Sequence, residues 1–210
     1  MPEMPPRPQI IPAHDCRRLR WRNDAGWTRE IHAEPSSDPG AAASASAWDW
    51  RLSIAEIEHD AAFSRFDGIE RELVLLSGNG LRLRFAGEGD HVVTLDPPYA
   101  RHRFAGEATV RGELVDGRTE DFNLMWRRDA VDAALWHRPL VGSMLVFVDP
   151  GSVWIVHVLA GQARLTGAGA EDLPVLTRGD TACLRAADTR ARHALEGGGE
   201  VLLIRIDPRA

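Results

Sequence analysis

The chain has 210 residues, 44% of them hydrophobic, which is enough for one large or two small packed cores. Charged residues make up 27% and the formal net charge is -6, so a nucleic-acid partner is not expected. No apolar run approaches the length of a membrane span, the opening Met-Pro-Glu-Met-Pro-Pro-Arg-Pro lacks the apolar core of a signal peptide, and the two cysteines, Cys16 and Cys183, make no disulfide framework and are expected to stay reduced.

Residues 1–12 are Pro-rich and read as an extended or disordered lead. Asn23-Asp-Ala-Gly26 reads as a turn. Thr28, Glu30 and His32 then alternate with Arg29 and Ile31, which predicts a strand with a polar face. The stretch 35–47 is almost all Ser, Ala, Gly and Pro and reads as a mobile surface loop. Trp48–Ile57 is a strong strand pattern, with Trp48, Trp50, Leu52 and Ile54 on one face and Asp49, Arg51, Ser53 and Ala55 on the other. The three tryptophans Trp48, Trp50 and Trp126 alternate with polar residues and read as core or wall packing.

Phe63-Ser-Arg-Phe-Asp-Gly-Ile-Glu-Arg71 leads into a pair of strands around Gly78-Asn-Gly80, read as the central hairpin. Thr109–Val115 and Thr119–Arg127 read as a second hairpin joined at Asp116-Gly117. On the latter strand Asp121, Asn123, Met125 and Arg127 share a face. Asp129–His137 is the one segment that reads as a short helix. Strands follow near Leu140–Val148, Val153–Leu159, Ala163–Leu165, Thr181–Leu184 and Val201–Ile206, with Gly197-Gly-Gly as a turn. Short strands with Gly-rich turns point to an all-β barrel or sandwich.

Part of the pattern repeats. Leu75-Leu-Ser-Gly-Asn-Gly-Leu-Arg-Leu83 and Val158-Leu-Ala-Gly-Gln-Ala-Arg-Leu165 share Leu-x-Gly followed by a strand. Each is followed by Gly-Asp and a further strand (Gly89-Asp90, Gly179-Asp180), then by His beside Arg (His102-Arg103, Arg192-His193). This order resembles a cupin, and two copies resemble an RmlC-like bicupin. The divisions are 1–14 as a Pro-rich N-terminal segment, 15–128 as a first cupin half and 129–210 as a second. Most cupins hold a divalent metal with two His, a Glu and a later His. The Glu position falls here on Arg71 and Trp154, and the paired-His positions near Ser64–Asp67 and Phe147–Pro150, where there is none. Only the later positions, His102 and His193, are filled. One imidazole does not hold Zn or Fe, so both halves are expected to be metal-free, with no cofactor.

An arginine at that position suits a carboxylate or phosphate. With the polar faces of neighbouring strands, Arg71 makes a pocket that includes Arg51, Ser53, Asp121, Asn123 and Arg127. The alternative is that these charges pair among themselves, Asp121 with Arg127 or Arg71, and only specify the core.

Five motifs carry a closer resemblance: Trp21-Arg-Asn-Asp-Ala-Gly-Trp-Thr-Arg-Glu-Ile31, Trp50-Arg-Leu-Ser-Ile-Ala55, Phe63-Ser-Arg-Phe-Asp-Gly68, Leu75–Leu83 and Asp121-Phe-Asn-Leu-Met-Trp-Arg-Arg128. In this order, over about residues 16–128, they resemble the HutD/Ves family. The resemblance implies a bicupin in a bacterial cytoplasm. For HutD members it implies an accessory role in histidine utilisation, with N-formyl-glutamate or a related intermediate as ligand. Ves members are associated with cold and stress responses. Carried over, the ligand-binding set is Asn23, Thr28, Glu30, Arg51, Ser53, Arg71, Asp121, Asn123 and Arg127. The family's triple Gly is Asp24-Ala25-Gly26 here, which places a negative charge near a supposed anion site.

Three functions follow, in order. The first is a non-catalytic protein that binds a small carboxylated metabolite. The second is a metal-independent hydrolase or isomerase with Glu30 or His102 as general base. The third is an interaction module working through the 35–47 loop or a sheet edge. Neither nucleic acid nor membrane is an expected partner, and a homodimer is left open.

Overall fold

The computed structural model describes residues 6–21, 23–36, 47–87 and 89–209. Most of the stretch read as a mobile loop, 37–46, lies outside the described residues, as do 1–5 of the Pro-rich lead. Among the described residues there are sixteen strands and no α-helix. In chain order they are β1 (Gln9–Ile11), β2 (Arg17–Arg20), β3 (Gly26–Pro35), β4 (Trp48–Ile57), β5 (Ala61–Ala62), β6 (Ile69–Ser77), β7 (Leu81–Ala86) and β8 (His91–Leu95). Then come β9 (Arg101–Ala105), β10 (Thr109–Leu114), β11 (Thr119–Arg127), β12 (Val131–Val148), β13 (Val153–Gly167), β14 (Leu176–Thr177), β15 (Thr181–Arg185) and β16 (Ala191–Pro208). The strands form two jelly-roll-like units, in keeping with the bicupin expectation. One is Arg17–Val131; the other is Asp132–Ala210 with the N-terminal segment through Cys16. Among the described residues no helix is long and apolar enough to cross a membrane.

In the unit Arg17–Val131 a six-stranded sheet, β2-β3-β4-β11-β6-β9, is accompanied by a four-stranded sheet, β5-β10-β7-β8. Leu73, Leu75, Ala55 and Ile57 from the larger sheet pack with Leu81, Leu83, Phe85, Leu95 and Val110 from the smaller. The expected hairpin across Gly78-Asn-Gly80 is therefore corrected. The two strands exist, but β6 pairs with β11 and β9 whereas β7 pairs with β10 and β8. The glycines, with φ of 101° and 134°, make a corner where the chain changes sheet. The same correction holds for Asp116-Gly117, which joins β10 and β11 of different sheets. The reason is burial: Leu73 and Leu75 can cover Leu81 and Leu83 only if the strands face each other across a core.

The other unit is built on one sheet, β1-β15-β13-β16-β12, with β14 added to β13. Its core is Leu140, Val146, Val148, Val156, Val158, Leu165, Leu184, Leu195 and Val201 with their neighbours. Two local expectations are overturned here. Residues 131–137, read as helix, open the strand β12; Val131, Ala133 and Leu135 are buried while Asp132 between them is exposed, a period of two. Gly197-Gly-Gly is not a turn but the middle of β16, paired with Gly161–Ala163 of β13. A Cβ on Gly161, Gly197 or Gly199 would collide with the opposing backbone, so the glycines let two long strands bend together.

The repeated Gly-Asp has a structural meaning. Asp90 Oδ1 accepts from the Gly87 amide at 2.6 Å, and Asp180 Oδ2 accepts from the Thr177 amide at 2.8 Å. Each aspartate closes the turn before its strand by bonding the amide three residues back. Asp180 also accepts from the Ala13 amide at 2.9 Å, beside the pairing of β1 with β15.

Candidate functional site

Register builds the site across four adjacent strands of the larger sheet. Arg71 on β6 lies opposite Met125 on β11, which lies opposite Arg51 on β4. In the next row Asn123 stands between Leu73 and Ser53, and Ser53 is opposite Glu30 on β3. In the third row Asp121 stands between Leu75 and Ala55, and Ala55 is opposite Thr28. Because side chains alternate along a strand, these rows share one face. Above that face is a cavity of about 440 Å³.

Seven of the nine residues read from the sequence line this cavity: Asn23, Thr28, Arg51, Ser53, Arg71, Asp121 and Asn123. Glu30 stands at its margin, accepting from Arg51 Nε at 2.7 Å. Arg127 continues the same face but is held by Asp129, through Nε at 3.0 Å and Nη2 at 2.9 Å, and by Ser36 Oγ at 2.8 Å. His102 is on β9, packed edge-on to Phe85 at 5.6 Å and stacked on Phe104 at 6.0 Å, and is not part of the lining. Among the described residues no group of three His, Cys, Asp or Glu side chains could hold a metal ion.

The floor carries two buried groups of opposite sign. Arg71 is 5% exposed and its guanidinium lies 5.3 Å from the ring centres of Phe63 and Phe104 and 5.7 Å from that of Phe66. Its Nη1 donates to the Ser64 carbonyl at 3.2 Å, while its Nε has no protein partner. Burial pulls its pKa down to about 10, against the pull of Asp121, so it stays a cation at neutral pH. Asp121 is 1% exposed and neither carboxylate oxygen has a hydrogen-bond partner. Burial pushes it up to about 7, with Arg71 opposing. The suggested internal pairings of Asp121, with Arg127 or by hydrogen bond with Arg71, are therefore not made. Asn123 Oδ1 is a further buried acceptor without a partner. Native proteins rarely leave such groups unpaired, so these atoms are open to whatever enters the cavity.

Sequence reasoning missed the walls, which are Arg20, Phe63, Ser64 and Phe66. The motif Phe63-Ser-Arg-Phe66 was visible, yet no periodicity showed that it folds over Arg71. Gly112 makes room for it, since a Cβ there would lie 2.7 Å from the Phe63 ring. Of the two tryptophans on either side of the Asn23–Gly26 turn, Trp21 lines the cavity and donates from Nε1 to Thr28 Oγ1 at 2.8 Å. Trp27 instead lies beneath Arg18 and Arg20, 4.1 and 4.8 Å from its ring centre. Asp24 adopts a φ of 56°, where glycine would sit without strain, and its largely exposed carboxylate bonds Arg20 Nε at 3.2 Å rather than joining the lining. The departure at this position thus reaches the cavity only through Arg20, a residue of its wall.

Comparison with known proteins finds relatives in both sequence and fold. A family model described as HutD matches residues 13–203. An uncharacterised 21.2 kDa protein in the hutC 3' region of Pseudomonas putida is 30% identical over 96% of this chain and 98% of its own. The Ves protein of Cronobacter sakazakii is 40% identical over 69% of this chain and 72% of its own. Among solved structures, HutD from Pseudomonas fluorescens SBW25 superposes with a TM-score of 0.77 at 25% identity, covering 97% of this chain and 100% of that one. Escherichia coli pirin YhhW, at 10% identity, shares the fold with a TM-score of 0.64 over 97% of this chain and 100% of its own.

Proposed function

This chain belongs to the HutD family, and we propose that it is a metal-independent binding protein for a small carboxylated metabolite. N-formyl-glutamate or a related histidine-degradation intermediate fits this reading, with an accessory or regulatory role in histidine utilisation in the cytoplasm. One observation carries it: a buried cation, Arg71, caged by three phenylalanines and lining a cavity of about 440 Å³. A guanidinium held this way is pre-organised to clamp a carboxylate.

The test is a thermal-shift panel on metal-stripped protein with N-formyl-glutamate, glutamate, urocanate, histidine, simple sugars and divalent metals. A ligand that binds only the folded chain raises the melting temperature by mass action. The expected result is stabilisation by a formylated or dicarboxylate compound that disappears in Arg71→Met, a change that keeps an apolar filler among the phenylalanines. Stabilisation by a metal alone, or by a carboxylate equally well in Arg71→Met, overturns the proposal.

A second reading, catalysis, has a specific observation behind it. Asp121 lines the cavity with a pKa of about 7, where a carboxyl group can give and take a proton. It replaces Glu30, which is tied to Arg51, and His102, which lies off the lining. Turnover of a bound ligand that is abolished in Asp121→Asn, with binding retained, would favour this reading.

A further inference from the structure

The cavity floor is unbalanced in hydrogen-bonding capacity. Its buried atoms without protein partners are three acceptors, Asp121 Oδ1, Asp121 Oδ2 and Asn123 Oδ1, against one donor, Arg71 Nε. Asp121 and Asn123 are two residues apart on β11, so their side chains emerge side by side from one face. Arg71 and Arg51 flank Met125, the next residue of that face, on the neighbouring strands. The floor therefore runs from an acceptor-rich end to a cationic end along one strand. A ligand with only carboxylates would meet Arg71 but set an anion against Asp121 and leave its acceptors unpaired, which costs binding.

Building on the carboxylate-binding reading above, we infer that the cavity selects a bipolar acid: a carboxylate facing Arg71 and Arg51, and a cationic nitrogen group with two or more N–H donors, such as an amidinium, guanidinium or ammonium, facing Asp121 and Asn123. Planar two-donor groups match a carboxylate bidentately. Asp121, poised at about 7, gives up its proton when a cation arrives and so adapts to the occupant.

The test is titration calorimetry on the full chain at pH 7 with four-carbon acids that differ only in the far group. The probes are 4-guanidinobutanoate, 4-aminobutanoate and 4-formamidobutanoate, with glutarate as the dicarboxylate and N-formyl-glutamate alongside. The guanidino and amino acids are expected to bind about tenfold or more tightly than glutarate, the advantage of a charge-assisted pair. In Asp121→Asn that preference collapses while glutarate holds or gains. Binding of the guanidino acid also releases part of a proton, read as a heat that depends on the buffer's ionisation enthalpy, and Asp121→Asn abolishes the dependence. Arg71-dependent binding of glutarate with no preference for the cationic probes overturns this inference and leaves the carboxylate reading standing. Binding of none of the acids, N-formyl-glutamate included, removes both.

Discussion

Replacing Asp121 by asparagine should make the ligand-free protein more stable, and more so as pH rises. In the folded chain the carboxyl group has its pKa raised from 3.8 to about 7 because it is buried, with both oxygens unpartnered. A group whose folded pKa lies above its unfolded value stabilises fully below the unfolded pKa. That contribution is lost as pH rises through the folded one. Above about pH 7 the folded chain must hold a carboxylate that the unfolded chain would solvate. Three pKa units at about 1.4 kcal/mol each set that cost at about 4 kcal/mol. Asparagine has nearly the same shape and no charge, so its own packing contribution is constant with pH. The stability gap between Asp121→Asn and the parent should therefore widen by about 2–3 kcal/mol from pH 5 to pH 8. Urea denaturation of both proteins at the two pH values, followed by tryptophan fluorescence, measures it. A gap that stays constant between pH 5 and 8 would refute the argument, because Asp121 would then not titrate in that window.

Three other perturbations have defined outcomes. Gly26→Ala should cost about 1–3 kcal/mol, since a Cβ there collides with the Glu56 carbonyl and lies 3.2 Å from the Trp21 ring; an unchanged melting temperature would contradict it. Glu107 is held down to about 2 by its hydrogen bond from Arg128, with the Gly68 amide assisting. Its contribution is present above the usual carboxylate range and is lost as pH falls towards 2. Glu107→Gln should thus lower stability by under about 1 kcal/mol at pH 7, and its melting temperature should converge on the parent's near pH 2. His193 is 1% exposed, neither ring nitrogen has a partner, and burial pulls its pKa down. Protonation of the unfolded chain then costs stability as pH drops below about 6.5. His193→Leu should remove that acid-side loss in melting curves taken from pH 7.5 to 5.5.

The polar face of the site was legible in the sequence because strand periodicity is simple. Alternation put Asp121, Asn123 and Met125 on one face and Arg51 with Ser53 on another, and antiparallel register brought those faces together. Illegible were the features that depend on which strand sits beside which. Gly78-Asn-Gly80 and Asp116-Gly117 carry turn chemistry that serves a hairpin and a sheet-changing corner equally well. Only the burial of Leu73 and Leu75 with Leu81 and Leu83 distinguishes them, and those contacts are between sheets. Val131–Leu135 satisfied a helical and an alternating pattern at once, and pairing into the sheet decided for strand. Gly197-Gly-Gly looked like a turn because glycine marks both turns and close backbone approach, and the approach to Gly161 is what it serves here.

The repeat also explains why the two units differ chemically. At the sequence position where Arg71 stands in the first copy, the second has Trp154, whose ring stacks on Trp136 at 5.9 Å. Around it the interior of that unit is filled by Val156, Val158, Leu165, Leu184 and Leu195, so the strand pattern is kept while the space is spent on packing. In the first copy the corresponding face carries Arg71, Asn123 and Asp121, charges and amides that cost stability as they stand. A fold that needed only a core would have filled both units alike. The buried Arg71 and Asp121, without a hydrogen bond between them and beside a cavity, carry a cost that the Asp121→Asn measurement puts a figure on, and the proposed binding role is what would account for it.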